Sequence, residues 1–241
     1  DDLSTIWVMI TPLRYMIAMT KSLMKDICKQ LNIDTKKYKE RTFLNAISSA
    51  KDELKTPEQY ADEVAKEYNK KIFGRVYKEY QKRLKQNNAL DFDDLIMLTV
   101  QLFQQNAEIL NHYQERFPFI LVDEYQDTNT AQFTLLSLLA SRYQNLCVVG
   151  DDDQSIYRFR GANIHNILNF EKIFPATKVI RLEQNYRSTK NILAAASGVI
   201  KHNSMRKEKT LWTTAEAGAP ISYGRYDNEY EEAQGIAADI H

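Results

Sequence analysis

Two short apolar runs in this chain each end abruptly in acidic residues. Residues 119–122 (Phe-Ile-Leu-Val) precede Asp-Glu-Tyr-Gln-Asp, and residues 146–149 (Leu-Cys-Val-Val) precede Gly-Asp-Asp-Asp-Gln. A short run of consecutive branched residues is typical of a strand that is buried on both faces. In open α/β sheets, polar chemistry collects at the carboxyl ends of such strands. The pattern predicts that the two acidic segments lie at neighbouring strand ends and form a site.

The first acidic segment suits phosphate chemistry. Because side chains alternate along a strand, Asp123 and Glu124 are expected to point to opposite sides and to do different work. Magnesium usually takes one or two carboxylates together with phosphate oxygens, which suits Asp123, and Glu124 would then polarise an attacking water. A lone Asp-Glu pair is more often a solvated acidic turn. A functional site is favoured over that simpler interpretation by Gln126, by Asp127 and by the second apolar run, which also ends in acidic residues.

The segment after the second run alternates aromatic and basic residues. If it is extended, Tyr157 and Phe159 lie on one side, and Arg158 and Arg160 lie on the other. Such a strand would offer stacking surfaces for bases and charges for phosphates. An edge strand with half-buried aromatics and solvated arginines explains the pattern equally well. Gln154, which can donate and accept, would contact a γ-phosphate and so link nucleotide state to these aromatics.

A third cluster, residues 181–188, follows the apolar pair Val179-Ile180. Ser188 is the predicted N-cap of a helix with an apolar face, which places Tyr186 and Arg187 at a strand-to-helix junction. An arginine there can stabilise charge on a transferring phosphoryl group, and the adjacent phenol can stack on a base. An arginine paired with a neighbouring acid is an alternative that spacing leaves open.

Together these segments resemble the superfamily 1 DNA helicases of the UvrD, Rep and PcrA group. The segments that carry the resemblance are Leu-Val-Asp-Glu-Tyr-Gln-Asp-Thr (121–128), Val-Gly-Asp-Asp-Asp-Gln-Ser-Ile-Tyr-Arg-Phe-Arg-Gly-Ala (149–162) and Leu-Glu-Gln-Asn-Tyr-Arg-Ser (182–188). They occur in the family's order and at its spacing. Leu-Asp-Phe-Asp-Asp-Leu-Ile (90–96) is also similar, and the resemblance runs from about residue 30 to the end.

The resemblance implies a role for each matching residue. The implied roles are magnesium binding for Asp123, water activation for Glu124, γ-phosphate sensing for Gln154, an arginine finger in cis for Arg187 and adenine stacking for Tyr186. Tyr157 and Phe159, with Arg158 and Arg160, would contact single-stranded DNA. The family often has tryptophan where this chain has Phe159, which keeps a stacking surface but lacks the indole donor.

The resemblance also implies a fold and an activity. It implies an α/β fold comprising part of a RecA-like parallel-sheet motor domain, an inserted mostly helical domain and the start of a second motor domain. The expected boundaries are 1–88 for the inserted domain, 89–177 for the first motor domain and 178–241 for the second, with the first 12 to 20 residues unassigned. The whole protein would be an ATP-dependent, magnesium-dependent DNA helicase that moves 3′ to 5′. Its partners would be single-stranded DNA, duplex junctions and repair or replication proteins.

The sequence contains no Gly-x-x-x-x-Gly-Lys-Ser/Thr phosphate loop, and none of its 7 glycines precedes a lysine. The family carries that loop ahead of the inserted domain, so this chain is interpreted as a middle portion and is predicted to turn over negligible ATP alone. The alternative is a non-catalytic DNA-binding or protein-docking module with a helicase-like fold. A magnesium-dependent nuclease built from Asp123, Asp127 and residues 151–153 is a weaker alternative.

Charge is balanced overall but unevenly distributed. Residues 36–85 hold 14 basic against 8 acidic side chains, whereas residues 86–187 hold 8 against 13. A basic helical stretch suits contact with a DNA backbone, and the acidic stretch contains the carboxylates that metal and nucleotide would partly neutralise. For any single lysine, a solvated helical surface is the simpler explanation.

Composition indicates a folded intracellular protein, since 241 residues that are 44% hydrophobic and 27% charged can bury a substantial core. Cys28 and Cys147 show no metal spacing, and Cys147 is expected to be a buried thiol. The apolar stretch 6–19 is broken by Pro12 and Arg14 and is shorter than the roughly 20 residues that span a bilayer. With the resemblance, this predicts a bacterial cytoplasmic protein that acts on the nucleoid, with no membrane partner.

Periodicity predicts the remaining elements. The predicted elements are a helical region over 13–84 broken at Thr56-Pro57, a helix capped within 91–94, strands 119–123 and 146–150, a helix over 130–141, a helix after Gly161, and strands 178–180 and 221–223. Apolar stripes through Phe43, Ile47 and Ala50, and through Ile72, Val76, Tyr80 and Leu84, are predicted to be core.

Overall fold

The computed structural model describes residues 13–203 and 206–240, and the side chains of residues 13–19 and of Arg160 are not described. The first twelve residues, which the sequence left unassigned, lie outside the described part. The chain forms two compact units that divide between Phe174 and Pro175. The three-domain division expected from the resemblance stays a prediction.

Four helices build the first part of the first unit: α1 (Leu13–Gln30), α2 (Glu40–Asp52), α3 (Pro57–Val64) and α4 (Lys71–Gln86). Their buried apolar side chains form one core. Its members are Met24, Ile27, Cys28, Ile33, Phe43, Ile47, Ala50, Val76, Tyr77, Tyr80 and Leu84. Both predicted apolar stripes belong to this core, as the 3- to 4-residue spacing of one helix face requires, although Ile72 is only partly buried against it.

Side chains cap two helix starts in this unit. The Thr56 side chain accepts a hydrogen bond from the backbone N–H of Gln59, and Pro57 occupies the first helical position of α3. Asp91 caps α5 (Phe92–Gln105) in the same way by accepting from the backbone N–H of Asp94. The break at Thr56-Pro57 and the cap within 91–94 are confirmed.

A parallel pair of strands follows α6 (Ala107–Arg116). Strand β1 (Ile120–Val122) pairs with β2 (Leu146–Val148), and Leu121 lies opposite Cys147. The connection between them is α7 (Thr130–Ala140), which packs against α5 and α6. The strand–helix–strand arrangement confirms the predicted α/β class, although each strand is two residues shorter than predicted.

Burial of these strands differs from the prediction. Ile120 and Val122 are partly covered, but Leu121 is 79% exposed and Cys147 is exposed as well. The prediction that both faces of these strands are buried was therefore wrong for the described residues. The prediction of a buried thiol at Cys147 was wrong as well. The physical reason is that only two strands pair in this part of the chain, and no described element covers the face that carries Leu121 and Cys147.

Short elements complete the first unit. They are the 3₁₀ turns Tyr125–Asp127, Asp152–Gln154 and Arg158–Arg160, and the helices α8 (His165–Leu168) and α9 (Phe170–Ile173). The helix predicted after Gly161 is thus present as two short helices. No helix in the described part of the chain is both long and apolar enough to cross a bilayer.

The second unit contains α10 (Lys190–Ile200) and α11 (Glu229–Ile240). The strands predicted at 178–180 and 221–223 are not formed, and strand pairing among the described residues of this unit is limited to one bridge between Gln184 and Trp212. An apolar run becomes a strand only where a second segment takes up its backbone hydrogen bonds. The N-cap of α10 is Thr189 rather than Ser188, so this prediction was wrong by one residue.

Candidate functional site

The first acidic pair lies just beyond the end of β1. Because the strand stops at Val122, strand alternation does not set the directions of Asp123 and Glu124 as the sequence had suggested. Instead, Oδ1 of Asp123 accepts a hydrogen bond from the backbone N–H of Glu124 at 2.9 Å. Glu124 adopts a left-handed conformation with φ of 49° and ψ of 40°. A non-glycine residue there is uncommon and strained, and such residues cluster at functional sites.

Both carboxylates line a cavity of about 370 Å³. Its other lining residues are Val122, Asp127, Thr128, Gln132, Leu135 and Leu136. Burial raises the pKa of Asp127, and the charge of Glu124 raises it further. Oδ1 of Asp127 is buried and has no hydrogen-bond partner among the residues that the structure describes. The cavity therefore offers exposed carboxylates and one buried oxygen whose bonding capacity is unused, a donor set that fits a hydrated magnesium ion.

These acids do not assemble into a complete cage for a metal. In residues 13–203 and 206–240, no group of three or more His, Cys, Asp or Glu side chains could hold an ion together. Magnesium commonly keeps several waters and binds through one or two carboxylates plus phosphates, so Asp123 needs no such cage for the role that the resemblance implies.

Gln154 is the last residue of the 3₁₀ turn that follows β2. It is exposed, and its side-chain N–H donates to Oδ2 of Asp151 at 2.8 Å. Oδ1 of Asp151 accepts from the backbone N–H of Asp153 and so caps the turn. The side chain of Gln154 is thereby directed by a carboxylate on its own turn.

Gln126 connects the two acidic segments, a role that was not predicted from the sequence. Its side chain is only 1% exposed, donates to Oε2 of Glu124 at 2.7 Å and accepts from the backbone N–H of Asp151 at 3.0 Å. No local pattern indicates this contact, because Gln126 and Asp151 are 25 positions apart. The structure thus brings Asp123, Glu124 and Gln154 to one region, as the two acid-tipped strands predicted.

The aromatic segment is a turn and not an extended strand. Arg158–Arg160 form a 3₁₀ helix, which the sequence did not predict because it assumed period-2 alternation. The rings of Tyr157 and Phe159 nevertheless lie together, with centroids 5.9 Å apart and planes tilted by 48°. Phe159 is 78% exposed and Arg158 is exposed. The turn keeps an accessible aromatic surface beside a positive charge.

The end of this turn abuts the helical part of the first unit. Gly161 has φ of 86°, and a Cβ added there would collide with the carboxylate of Asp52, the last residue of α2. The other oxygen of Asp52 accepts from the side-chain N–H of Asn129, the cap of α7, at 2.6 Å. Burial raises the pKa of Asp52 to about 7, with further contributions from the charges of Asp93 and Glu53.

The segment 90–96 has a structural role that the sequence did not show. The fully buried Lys51 ammonium contacts Asp91 at 2.7 Å and Asp94 at 2.8 Å, and the Tyr80 hydroxyl donates to Asp91 at 3.1 Å. Burial raises the pKa of Asp94, whereas the charge of Lys51 acts in the opposite direction. The available signal was a lysine directly after Ala50 in an apolar stripe.

Tyr186 and Arg187 lie in the second unit, on a loop that hydrogen bonds hold in place. Asn185 donates its backbone N–H to Trp212 O at 2.7 Å, and its side-chain oxygen accepts from the backbone N–H groups of Arg187 and Ser188. Tyr186 is 85% exposed, and its hydroxyl donates to Gln184. Arg187 is exposed and belongs to none of the ion pairs in the described ranges. The alternative of a paired arginine therefore has no support here.

Two family descriptions match almost the whole chain. Residues 5–175 match the UvrD/REP helicase N-terminal domain, and residues 180–241 match the UvrD-like helicase C-terminal domain. The boundary between these matches falls close to the division between the two compact units.

Curated relatives show the same similarity. The chain is 56% identical over 220 residues to the ATP-dependent DNA helicase PcrA of Bacillus subtilis, covering 91% of this chain and 30% of that protein. It is 54% identical, with the same coverage, to the PcrA proteins of Staphylococcus epidermidis and Staphylococcus aureus. The chain therefore spans about 30% of the length of these relatives. These matches, together with the acidic strand ends, show that the chain belongs to the UvrD/REP helicase family.

Proposed function

We propose that this chain is the central portion of an ATP-dependent DNA helicase that couples ATP hydrolysis to 3′ to 5′ movement on single-stranded DNA. The observation that carries the proposal is the pairing of two acid-tipped parallel strands, with Glu124 and the Gln154 turn joined through the buried Gln126 amide. The names of the PcrA relatives give independent support. Polarity rests on the family resemblance alone.

ATP and magnesium are the proposed cofactors. Asp123 would hold magnesium, which would supply positive charge to the phosphates. Glu124 would orient a water and take its proton, and Gln154 would contact the γ-phosphate through its side-chain amide. Arg187 would stabilise the charge that develops on the transferring group, and Tyr186 would stack on the adenine, the roles that the family resemblance implies for them. The exposure of Tyr186 and Arg187 leaves both available for this role.

DNA is the proposed partner of the aromatic turn and of the basic helical region. Tyr157 and Phe159 present adjacent rings for bases, and Arg158 and Arg160 would contact phosphates. Residues 36–85, with 14 basic against 8 acidic side chains, would contact the backbone at a duplex junction. We also propose that the whole protein works in the bacterial cytoplasm, on the nucleoid, with repair or replication proteins.

The decisive experiment uses the longer protein that contains this chain. We expect ATP hydrolysis that single-stranded DNA stimulates, and unwinding of a duplex with a 3′ tail. Glu124→Gln should lower kcat by about 10²- to 10⁴-fold, the usual range for loss of a general base, while nucleotide binding persists, because it removes the proton acceptor and little else. The 241-residue chain alone should bind DNA but hydrolyse no ATP, since it carries no glycine-rich lysine loop.

Three outcomes would contradict the proposal. DNA binding by the longer protein without any ATP turnover would indicate a non-catalytic module. Magnesium-dependent strand cleavage that requires Asp123 and Asp127 would indicate a nuclease. DNA-stimulated hydrolysis by the 241-residue chain alone would show that the phosphate-binding loop is dispensable.

A further inference from the structure

The amide of Gln126 is bonded at both of its ends, although the side chain is almost fully buried at 1% exposure. We propose that Gln126 is a positioning residue that couples the carboxylate of Glu124 to the turn that holds Gln154. The proposal rests on the proposed function, because it assigns a coupling role within the same nucleotide site. Gln126 itself would contact neither nucleotide nor water.

The first half of the coupling acts on Glu124. This side chain is exposed and its backbone is left-handed, so neither packing nor regular structure fixes its direction. The Nε2 group of Gln126 donates to Oε2 of Glu124 at 2.7 Å. A buried donor of this kind restricts the carboxylate to one orientation, which a base needs for productive alignment with a water.

The second half acts on the turn after β2. Oε1 of Gln126 accepts from the backbone N–H of Asp151 at 3.0 Å, and the backbone carbonyl of Gln126 accepts from the Ser155 hydroxyl at 3.3 Å. Asp151 in turn accepts from the side chain of Gln154 at 2.8 Å. The path from Glu124 to Gln154 therefore consists of three consecutive hydrogen bonds.

The amide of Gln126 supplies both kinds of bond that this link needs. One end must donate to a carboxylate and the other must accept from a backbone N–H, a combination that glutamate, lysine and apolar side chains lack. Space for the amide comes from Gly150, where an added Cβ would lie 2.7 Å from Oε1 of Gln126 and 2.9 Å from Ile167. Gly150 is thus required for close approach of the Gln126 side chain.

The consequence is that Glu124 and Gln154 would respond together to the presence of a γ-phosphate. A shift of Gln154 when a γ-phosphate arrives or leaves would move Asp151 and, through the Gln126 amide, the carboxylate of Glu124. Water activation would then be aligned only when Gln154 is engaged.

Variants of the longer protein test the coupling by steady-state hydrolysis. Gln126→Met removes both bonds, and Gln126→Glu keeps the acceptor for Asp151 but replaces the donor that faces Glu124. Each should lower kcat by about 100-fold with little change in KM, because a misplacement near 1 Å costs that much. Gly150→Ala should act in the same direction. The control is Gln114→Met, since Gln114 is equally buried at 3% exposure and bonds to Leu138 O and Ser141 instead.

A double-mutant cycle separates coupling from general damage. If Gln126 acts through Glu124, Gln126→Met should cost nothing further once Glu124→Gln is present. Additive losses, or wild-type kcat in Gln126→Met, would overturn the proposal.

A second measurement is independent of turnover and uses the 241-residue chain. Hydrogen exchange by NMR should show that the backbone N–H of Asp151 exchanges several-fold faster in Gln126→Met, and also faster in Glu124→Ala, although Glu124 does not bond to Asp151. Unchanged exchange in Glu124→Ala would refute the coupling even if the protein hydrolyses ATP. Accelerated exchange in a protein without ATPase activity would leave the coupling intact and refute only the proposed function.

Discussion

The ammonium nitrogen of Lys51 lies 2.7 Å from Oδ2 of Asp91, although the two residues are 40 positions apart. Lys51 ends the apolar stripe of α2, whereas Asp91 caps α5, and Asp94 completes the cluster at 2.8 Å. The lysine side chain is fully buried. The contact therefore attaches the helical part of the first unit to the start of α5.

Lys51→Met should destabilise the chain by about 3–5 kcal/mol, because it leaves Asp91 and Asp94 buried without their positive partner. Urea unfolding followed by circular dichroism measures this loss. Lys55→Met is the matched control, since the Lys55 ion pairs with Glu53 and Glu63 are partly exposed and should contribute about 1 kcal/mol or less. Equal effects of the two substitutions would show that the buried cluster contributes little.

Asp52→Asn should remove a pH dependence of stability. The folded pKa of Asp52 is about 7, above the unfolded value of about 3.9, so the folded state binds more protons between these values. Stability from this group is present below about pH 4 and is lost as pH rises through 7. Because partial exposure screens the charge, the variant should gain about 2 kcal/mol over wild type at pH 8 and nearly nothing at pH 4.

Thermal and urea unfolding at the two pH values check this difference. The amide of Asn at position 52 can still accept from Asn129, so the contact itself survives. Asp26→Asn, on an exposed position of α1, serves as the comparison. A gain that is the same at both pH values would refute the role of Asp52 ionisation.

Gly161→Ala should cost about 1–3 kcal/mol of stability and move the aromatic turn. The positive φ strains any residue with a Cβ, and this Cβ would meet the Asp52 carboxylate. Gly198→Ala is the opposite case, because Gly198 lies within α10 with open space at its Cβ position, and it should stabilise the protein by about 0.5–1 kcal/mol. Unfolding midpoints compare the two. A stabilising Gly161→Ala would contradict the assigned strain.

Phe159→Ala should weaken binding of single-stranded DNA about 10- to 100-fold, which corresponds to loss of one stacked base. Fluorescence anisotropy with a labelled oligonucleotide measures the affinity. Phe159→Trp should retain or improve binding, because it enlarges the stacking surface. Tyr143→Ala, which truncates another exposed ring three residues beyond the end of α7, should leave binding unchanged. Equal losses from Phe159→Ala and Tyr143→Ala would argue against a defined stacking surface.

Arg187→Ala should lower kcat for ATP hydrolysis by the longer protein about 1,000-fold, the lower range for loss of an arginine finger. KM should change far less if the guanidinium acts mainly in the transition state. Arg142→Ala is the control, since this exposed arginine pairs with Glu115 at 2.9 Å. Unchanged kcat in Arg187→Ala would exclude the proposed role.

Several elements followed from local sequence. Thr56-Pro57 and the Asp91 cap mark helix starts because short side chains satisfy nearby backbone N–H groups, and the stripes through Phe43 and Tyr80 are core because helix periodicity brings them to one face. The position of Glu124 and Gln154 after the two strands was also predictable, because each apolar run is followed directly by a polar, acidic segment. Strand alternation, however, failed at Tyr157 and Phe159, where the chain turns.

The sequence by itself determined the helical region over 13–84, the helix start at Asp91, the two strands that end in acidic residues and the family resemblance, since each depends on residues close together in the chain or in recognisable order. Only the tertiary structure decided the contacts of Gln126 with Asp151, Lys51 with Asp91 and Asp52 with Asn129, which join residues 25, 40 and 77 positions apart. It also decided that residues 178–180 form no strand and that Leu121 is exposed. The physical reason is that burial, pairing and pKa depend on which distant segments pack together, and no local pattern encodes that choice.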